Sequence, residues 1–265
     1  MTMARQLATA PPSGSSERMV HPMSGLLNGV IMRLTLRATM SRRRALLFAL
    51  PAILLIGISA LLKGTANSST WPPEILGQVG YLVLALTALI IGGSVIGAEV
   101  EDGSILHLLA TPVSRRTVVL SKYVVAVALT IAFAAVPEYL AGAVATGGTS
   151  KLAIGLFVGA LAGSFFYNAL FVMLTSVFSP SRALAIGLLY VLLWEGLLAS
   201  LVGGVALLSA QHYSLAIANS IAHNSALHAN MTVGTGIGMG VAVTVLALVL
   251  AVYRLSAFSI KGDVA

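Results

Sequence analysis

Cysteine is absent from the 265 residues, which excludes a disulfide framework, thiolate catalysis and any cysteine-built metal centre. Charge is nearly as scarce, since Asp, Glu, Lys and Arg together make up 9% of the chain, against about 25% in soluble domains. A chain that is also 58% hydrophobic cannot cover a water-facing surface and belongs in a bilayer. No Gly-Lys pair occurs anywhere, so the phosphate-binding G-x-x-x-x-G-K-[ST] loop is missing and ATP hydrolysis by that route is excluded. A Gly-x-Ser-x-Gly elbow, a His-Glu-x-x-His helix and paired aspartates within one apolar run are missing too, which argues against hydrolytic and metal-dependent enzymes. The net charge of +7 needs no nucleic acid to explain it, because the bases flank apolar runs, where membrane topology puts them.

Six apolar runs remain: Ala45 to Leu62, Val79 to Ala98, Tyr123 to Ala143, Leu152 to Phe178, Ala183 to Leu208 and Val233 to Tyr253. Each is long enough for a membrane helix of about 20 residues. The expectation is an all-α membrane protein with one six-span domain over residues 23–265. Residues 1–22 are polar, contain Ala10-Pro-Pro-Ser-Gly-Ser-Ser16 and lack an early apolar core of a cleavable signal, so a disordered cytoplasmic tail is expected there. Pro51 and Pro137 fall inside spans and predict local kinks.

Bases choose the orientation. Arg5, Arg18, Arg33, Arg37, Arg42, Arg43, Arg44, Arg115, Arg116, Lys122, Arg182, Arg254 and Lys261 fall on one side of a six-span arrangement, and only Lys63 and Lys151 on the other. The positive-inside rule then puts both termini in the cytoplasm of a multi-pass cell-membrane protein. Ahead of the first span, Met23, Leu26, Leu27, Val30, Ile31 and Leu34 recur at helical spacing, with Arg33 and Arg37 away from that stripe. This predicts an amphipathic interfacial helix, acting either as a basic anchor or as a lever against a partner. Small residues repeat within spans: Gly93 with Gly97, then Gly155, Gly159 and Gly163, then Gly234, Gly236, Gly238 and Gly240. Such spacing lets helix backbones approach closely.

The long polar connection between the second and third runs has ordered parts. Glu99, Glu101 and Asp102 come first, Gly103-Ser104 makes a break, and Ile105, Leu108 and Leu109 form the apolar face of a short helix that Thr111-Pro112 ends. The series Glu101-Asp-Gly-Ser-Ile-Leu-His-Leu-Leu-Ala-Thr-Pro-Val-Ser-Arg-Arg116, followed by Lys122 at the next span, resembles the cytoplasmic loop between spans two and three of type-2 ATP-binding-cassette permeases. Ser104 and His107 depart from the usual pattern.

That resemblance implies an export-type or lipid-facing transporter in which two six-span subunits, identical or sister, work with two separate ATPase subunits. ATP and Mg would be bound by the ATPase and no cofactor by this chain. Residues 100–110 would form the coupling helix that docks in the ATPase, through Glu101, Asp102, Gly103, Ser104, Ile105, Leu108 and Leu109. Arg33, Arg37, Arg115, Arg116 and Lys122 would anchor the chain to lipid at the membrane boundary. Efflux of a hydrophobic or amphipathic substrate is the implied activity.

Glu138 and Glu195 are single carboxylates in otherwise apolar runs. A mid-span carboxylate costs about 2.5–3.5 kcal/mol on insertion scales, so each should face a protein or water-filled interior. They would line a substrate path or tie helices together, with Tyr139, Tyr190 and Trp194 as neighbours in sequence; in a rival reading they are the ion sites of a secondary transporter. His212, His223 and His228 share the connection from Ser209 to Thr232, but their spacing is not that of a zinc site. Leu215, Ile217, Ile221 and Leu227 instead suggest short amphipathic helices dipping into the outer leaflet.

Overall fold

The computed structural model describes residues 27–40, 42–65, 71–101, 114–199 and 204–257. Helices make up nearly all of it, and there is no strand among the described residues. Helix α1 is Gly29–Thr39 and α2 is Arg42–Thr65. Helix α3 runs from Trp71–Ile75 through a widened π-turn, Leu76–Gly80, into Tyr81–Glu101. Helix α4 repeats the device as Arg115–Thr130, the π-turn Ile131–Ala135 and Val136–Thr146. Helix α5 is Lys151–Val177, and α6 is Pro180–Leu189 continued by a π-helical stretch, Tyr190–Leu198. Helix α7 is Ala210–Ala222 and α8 is Val233–Ala257.

Among the described residues, five helices are long and apolar enough to cross a membrane: Pro73–Gly97 of α3, Arg115–Thr146, Lys151–Val177, Pro180–Leu198 and Val233–Ser256. The apolar part of α2, Ala45–Leu61, is shorter. The chain is thus a multi-pass membrane protein. Pro51 lies within α2, which remains helical through it, whereas Pro137 lies two residues past the π-turn of α4. A proline leaves a carbonyl one turn earlier without its donor, and a widened turn is a common way to accommodate this.

Helix α5 is the centre of the bundle, packed against α3, α4, α7 and α8. Its glycines explain the packing. A Cβ on Gly155 would sit 2.6 Å from the Ala218 carbonyl oxygen, and one on Gly159 2.6 Å from that of Ser214. Only a residue without a side chain admits the α7 backbone so close. In α8, Gly236 faces Tyr213 and Ala216 of α7, and Gly240 faces the Phe166 ring, while Gly234 and Gly238 face open space. Half of the α8 glycine stripe therefore serves packing inside this chain.

The fifth expected span needs correction. Tyr190 Oη and Trp194 Nε1 both lie 3.3 Å from the Leu208 carbonyl. In a continuous helix, residues 14 to 18 positions apart would be separated by about 21–27 Å. The helical stretch that ends at Leu198 therefore does not run on to Leu208; Val205–Leu208 is a separate 3-10 turn that lies against Tyr190 and Trp194. Hydropathy cannot see such a break, because Leu197 to Leu208 carries no charge. The thirteen-residue α7 that follows is not a half-exposed amphipathic helix either, since Ala210 through Ala218 are all buried.

Bases separate between the two ends of the bundle. The Lys63 ammonium lies against Gly147 in the α4–α5 turn, and His228 Nε2 is 3.8 Å from Glu74 at the start of α3. At the other end, Asn28 N donates to Ser121 Oγ at 2.9 Å, Pro180 packs on Gly97, and Arg115 Nη1 donates to the Leu255 carbonyl at 3.3 Å.

Candidate functional site

Of the expected coupling residues, Glu101 is the last residue of α3, its side chain outside the description. Asp102, Gly103, Ser104, Ile105, Leu108 and Leu109 lie outside the described residues. The entry to the loop's far side is well defined: Ser114 caps α4, its Oγ accepting from Thr117 N at 3.2 Å. The expected anchors divide. Arg33 and Arg37 are exposed on α1, opposite the face of Ile31, Thr35 and Thr39 that packs inward. Arg116 is exposed and Arg115 half-buried. Lys122 is not at the lipid boundary: it is 1% exposed, and its Nζ donates to the Val95 carbonyl at 2.8 Å, tying α4 to α3. Helix α4 already faces the bundle interior in its first turn, as the buried Thr117, Val118 and Val119 show.

The most connected polar site inside the bundle surrounds Glu195, which is 4% exposed. Its Oε2 accepts from Tyr167 Oη of α5 at 2.5 Å, and its Oε1 from Tyr190 Oη at 3.0 Å, Gln211 N at 3.1 Å and Ser209 Oγ at 3.3 Å. The reason is the buried start of α7. The first N–H groups of any helix have no partner within it, and in lipid each must find one. Here Ala210 N donates to Tyr190 Oη at 3.3 Å, Gln211 N to the Glu195 carboxylate, and His212 N to Ser209 Oγ at 3.4 Å. The next N–H, of Tyr213, reaches the Ser209 carbonyl and begins the helix proper. Glu195 is thus a cap supplied from another helix, its oxygens placed as acceptors at the N-terminal end of α7.

This site extends further. His212 Nδ1 lies 3.1 Å from Ser209 Oγ, and its Nε2 lies 3.2 Å from Asn230 Nδ2. Gln211 Nε2 donates to Gln78 Oε1 at 3.0 Å, joining α7 to the π-turn of α3. His223 and His228 have separate uses, each closing a helical turn with positive φ, at 50° and 41°. No group of three metal-ligating side chains gathers among the described residues.

Glu138 contrasts with Glu195. It is 2% exposed, its carboxylate fills the space over Gly80, and neither oxygen has a hydrogen-bond partner among the described residues. The π-turns of α3 and α4 both end beside it, so Glu138 follows one and faces the other. Of the neighbours expected from sequence, Tyr190 does bind Glu195, while Trp194 serves Leu208 and Tyr139 serves Thr149. Sequence reasoning missed Tyr167 and Gln211 altogether. Tyr167 carries no signal in an apolar span, whereas Ser209 after an uncharged run was a readable helix-start residue.

Residues 40–208 match the model of an ABC-2 family transporter protein. The chain belongs to the ABC-2 transporter family. The matched region contains α2 to α6, with Tyr167, Tyr190 and Glu195 among them, and the whole of the polar loop from Glu99 to Lys122. No curated protein matches the chain. An ABC-2 membrane protein is a permease, a transport component that generally pairs with an ATPase subunit. The resemblance of the loop therefore agrees with a match that extends well beyond it.

Proposed function

We propose that this ABC-2 permease is the membrane subunit of an ATP-driven exporter of hydrophobic or amphipathic molecules, powered by a separate ATPase that binds ATP and Mg. The observation that carries the reading is the family match over residues 40–208, together with the acid-first, base-last loop inside it. The absence of a phosphate loop makes an external ATPase necessary for ATP-driven work. In this reading residues 100–110, of which 102–110 lie outside the described residues, would serve as the docking segment, with Leu108 and Leu109 as its apolar contact.

The chain crosses the membrane six times in this reading. Helix α2 has 24 residues, or about 36 Å at 1.5 Å per residue, against a hydrocarbon core of about 30 Å. In this reading its apolar part, Ala45–Leu61, crosses the core. With six crossings both termini are cytoplasmic, and the exposed Arg33 and Arg37 of α1 meet the inner-leaflet head groups.

A second permease subunit, identical or related, completes the pathway. Support comes from α6, whose Leu189, Leu192, Leu193 and Leu197 are all exposed in the single chain. Closing of the ATPase dimer would move the docking segment and tilt α2 and α3, so that nucleotide state selects between inward and outward arrangements.

Co-purification from the native membrane with a tag on this chain tests the partner. An ATPase should accompany the wild-type chain, and vanadate should stop transport in vesicles. Leu108→Asp with Leu109→Asp should abolish that association while leaving the chain inserted. Transport that follows a pH gradient and ignores vanadate would instead assign coupling to Glu138 and Glu195.

A further inference from the structure

A groove of about 720 Å³ opens between the start of α4 and the end of α8. Its lining is ordered by polarity. Ser114, Arg115, Arg116 and Ser256 stand at one end, and Leu120, Leu248, Val249 and Val252 form the walls beyond, with Tyr253 between the two zones. From Ser256 back to Leu248 the lining runs along eight residues of α8, about 12 Å at 1.5 Å per residue. A cationic mouth, an aromatic hydroxyl at the boundary and an apolar channel follow the order of an anionic phospholipid: phosphate, glycerol ester, acyl chain.

The two arginines are available for such a head group. Arg115 spends one N–H on the Leu255 carbonyl, which lies in the last described turn of α8. A guanidinium has five N–H donors, so this bond fixes the side chain over the groove and leaves donors for phosphate oxygens. Arg116 is exposed and makes no hydrogen bond or ion pair among the described residues. Tyrosine is favoured at the level of lipid head groups, where Tyr253 stands exposed.

We infer that the α4–α8 groove binds one anionic phospholipid, its phosphate on Arg115 and Arg116 and one acyl chain along Leu248, Val249 and Val252. The occupant is chosen by charge complementarity at the mouth together with the apolar walls. A zwitterionic lipid would meet the same walls but bring a second cation to the arginines. Basic pockets between membrane helices recognise anionic head groups on this principle. The lipid would also steady Ser114, the residue at which the polar loop enters α4.

The test uses the full chain in nanodiscs of palmitoyl-oleoyl phosphatidylcholine with one part in ten of the phosphatidylglycerol analogue, followed by native mass spectrometry. One phosphatidylglycerol per chain should be retained, at least fivefold above its share of the bilayer. Arg116→Gln should cut this preference severalfold, and Arg115→Gln with Arg116→Gln should abolish it. Val252→Trp, which fills the channel and leaves both charges, should also lose the lipid. Millimolar glycerol phosphate should not displace it. Retention in proportion to bilayer composition, unchanged retention in the Arg116→Gln chain or in Val252→Trp, or displacement by glycerol phosphate would each overturn the assignment. Arg116 is exposed and unpaired, so its variant keeps the experiment decisive even if loss of the Arg115 bond to Leu255 disturbs the helix end.

Discussion

Tyr167, midway along α5, donates its hydroxyl to Glu195 of α6, and the same carboxylate holds Gln211 N at the start of α7. One side chain therefore joins three helices and satisfies a buried helix end that lipid cannot serve. Removing the Tyr167 hydroxyl in Tyr167→Phe takes away one interhelical bond, worth about 0.6–1.7 kcal/mol in membrane proteins. Glu195→Gln keeps a carbonyl for Gln211 N but turns an NH₂ group toward a hydroxyl donor. Its expected cost is about 1–3 kcal/mol. Glu195→Leu leaves the Gln211 N–H with no acceptor and should cost more than either. Thermal unfolding of the purified permease in detergent reads the order Tyr167→Phe, Glu195→Gln, Glu195→Leu; equal midpoints for all three would show that α7 is capped by something else.

Two glycine classes should respond oppositely. Gly155→Ala and Gly159→Ala put a methyl group 2.6 Å from a carbonyl oxygen on the α7 backbone. Backbone cannot rotate away as a side chain can, so a loss of about 1–3 kcal/mol is expected from overpacking. Gly238→Ala meets nothing within 4 Å and removes a flexible residue from a helix. It should be neutral or slightly stabilising, by up to about 1 kcal/mol. Unfolding midpoints that fail to separate Gly159→Ala from Gly238→Ala would mean that α7 does not lie on the α5 glycines.

Asn28 makes a narrower prediction about α1. Its Oδ1 accepts from Val30 N at 2.9 Å and Ile31 N at 3.4 Å, while its own N–H binds Ser121 Oγ. Asn28→Ala should remove about 1 kcal/mol of capping but leave the link to Ser121. Ser121→Ala should break the link and keep the cap. Protease sensitivity near residues 27–40 distinguishes them: both substitutions should raise it, and the double substitution should raise it further. No change in any of the three would place the hold on α1 elsewhere, on Ile31, Thr35 and Thr39.

What the sequence made legible is what hydropathy and charge encode directly. Apolar runs overlap the five described helices that are long and apolar enough to cross a membrane, and the loop from Glu101 to Arg116 pointed to the same family as the match over residues 40–208. The end of the helical stretch at Leu198 was illegible because an apolar break inside a protein looks the same as an apolar helix in lipid. The burial of Lys122 was illegible for a related reason. Basic residues at span ends are assumed to face head groups, yet Lys122 lies two turns inside α4 beside the Val95 carbonyl. Glu195 was recognised as costly, but its role depended on Tyr167 and Gln211, which only the packing of three helices brings together.

Topology is the remaining expectation open to a direct measurement, and the lack of cysteine makes it clean. Any single cysteine introduced is the sole thiol. Arg37 on α1 and Ser256 near the end of α8 are exposed at the base-rich end of the bundle, while Thr149 is exposed in the α4–α5 turn near Lys63 and Lys151. An anionic inner-leaflet surface attracts the first set, so the positive-inside rule assigns it to the cytoplasm. In intact cells an impermeant maleimide should label Thr149→Cys and leave Arg37→Cys and Ser256→Cys unlabelled until the membrane is opened. The Arg37 site also decides whether α2 crosses. If α2 only lay along the surface, Arg37 would share the side of Thr149, and external labelling of Arg37→Cys would remove the sixth span. Labelling of Ser256→Cys from outside would invert the whole arrangement and with it the cytoplasmic docking of residues 100–110.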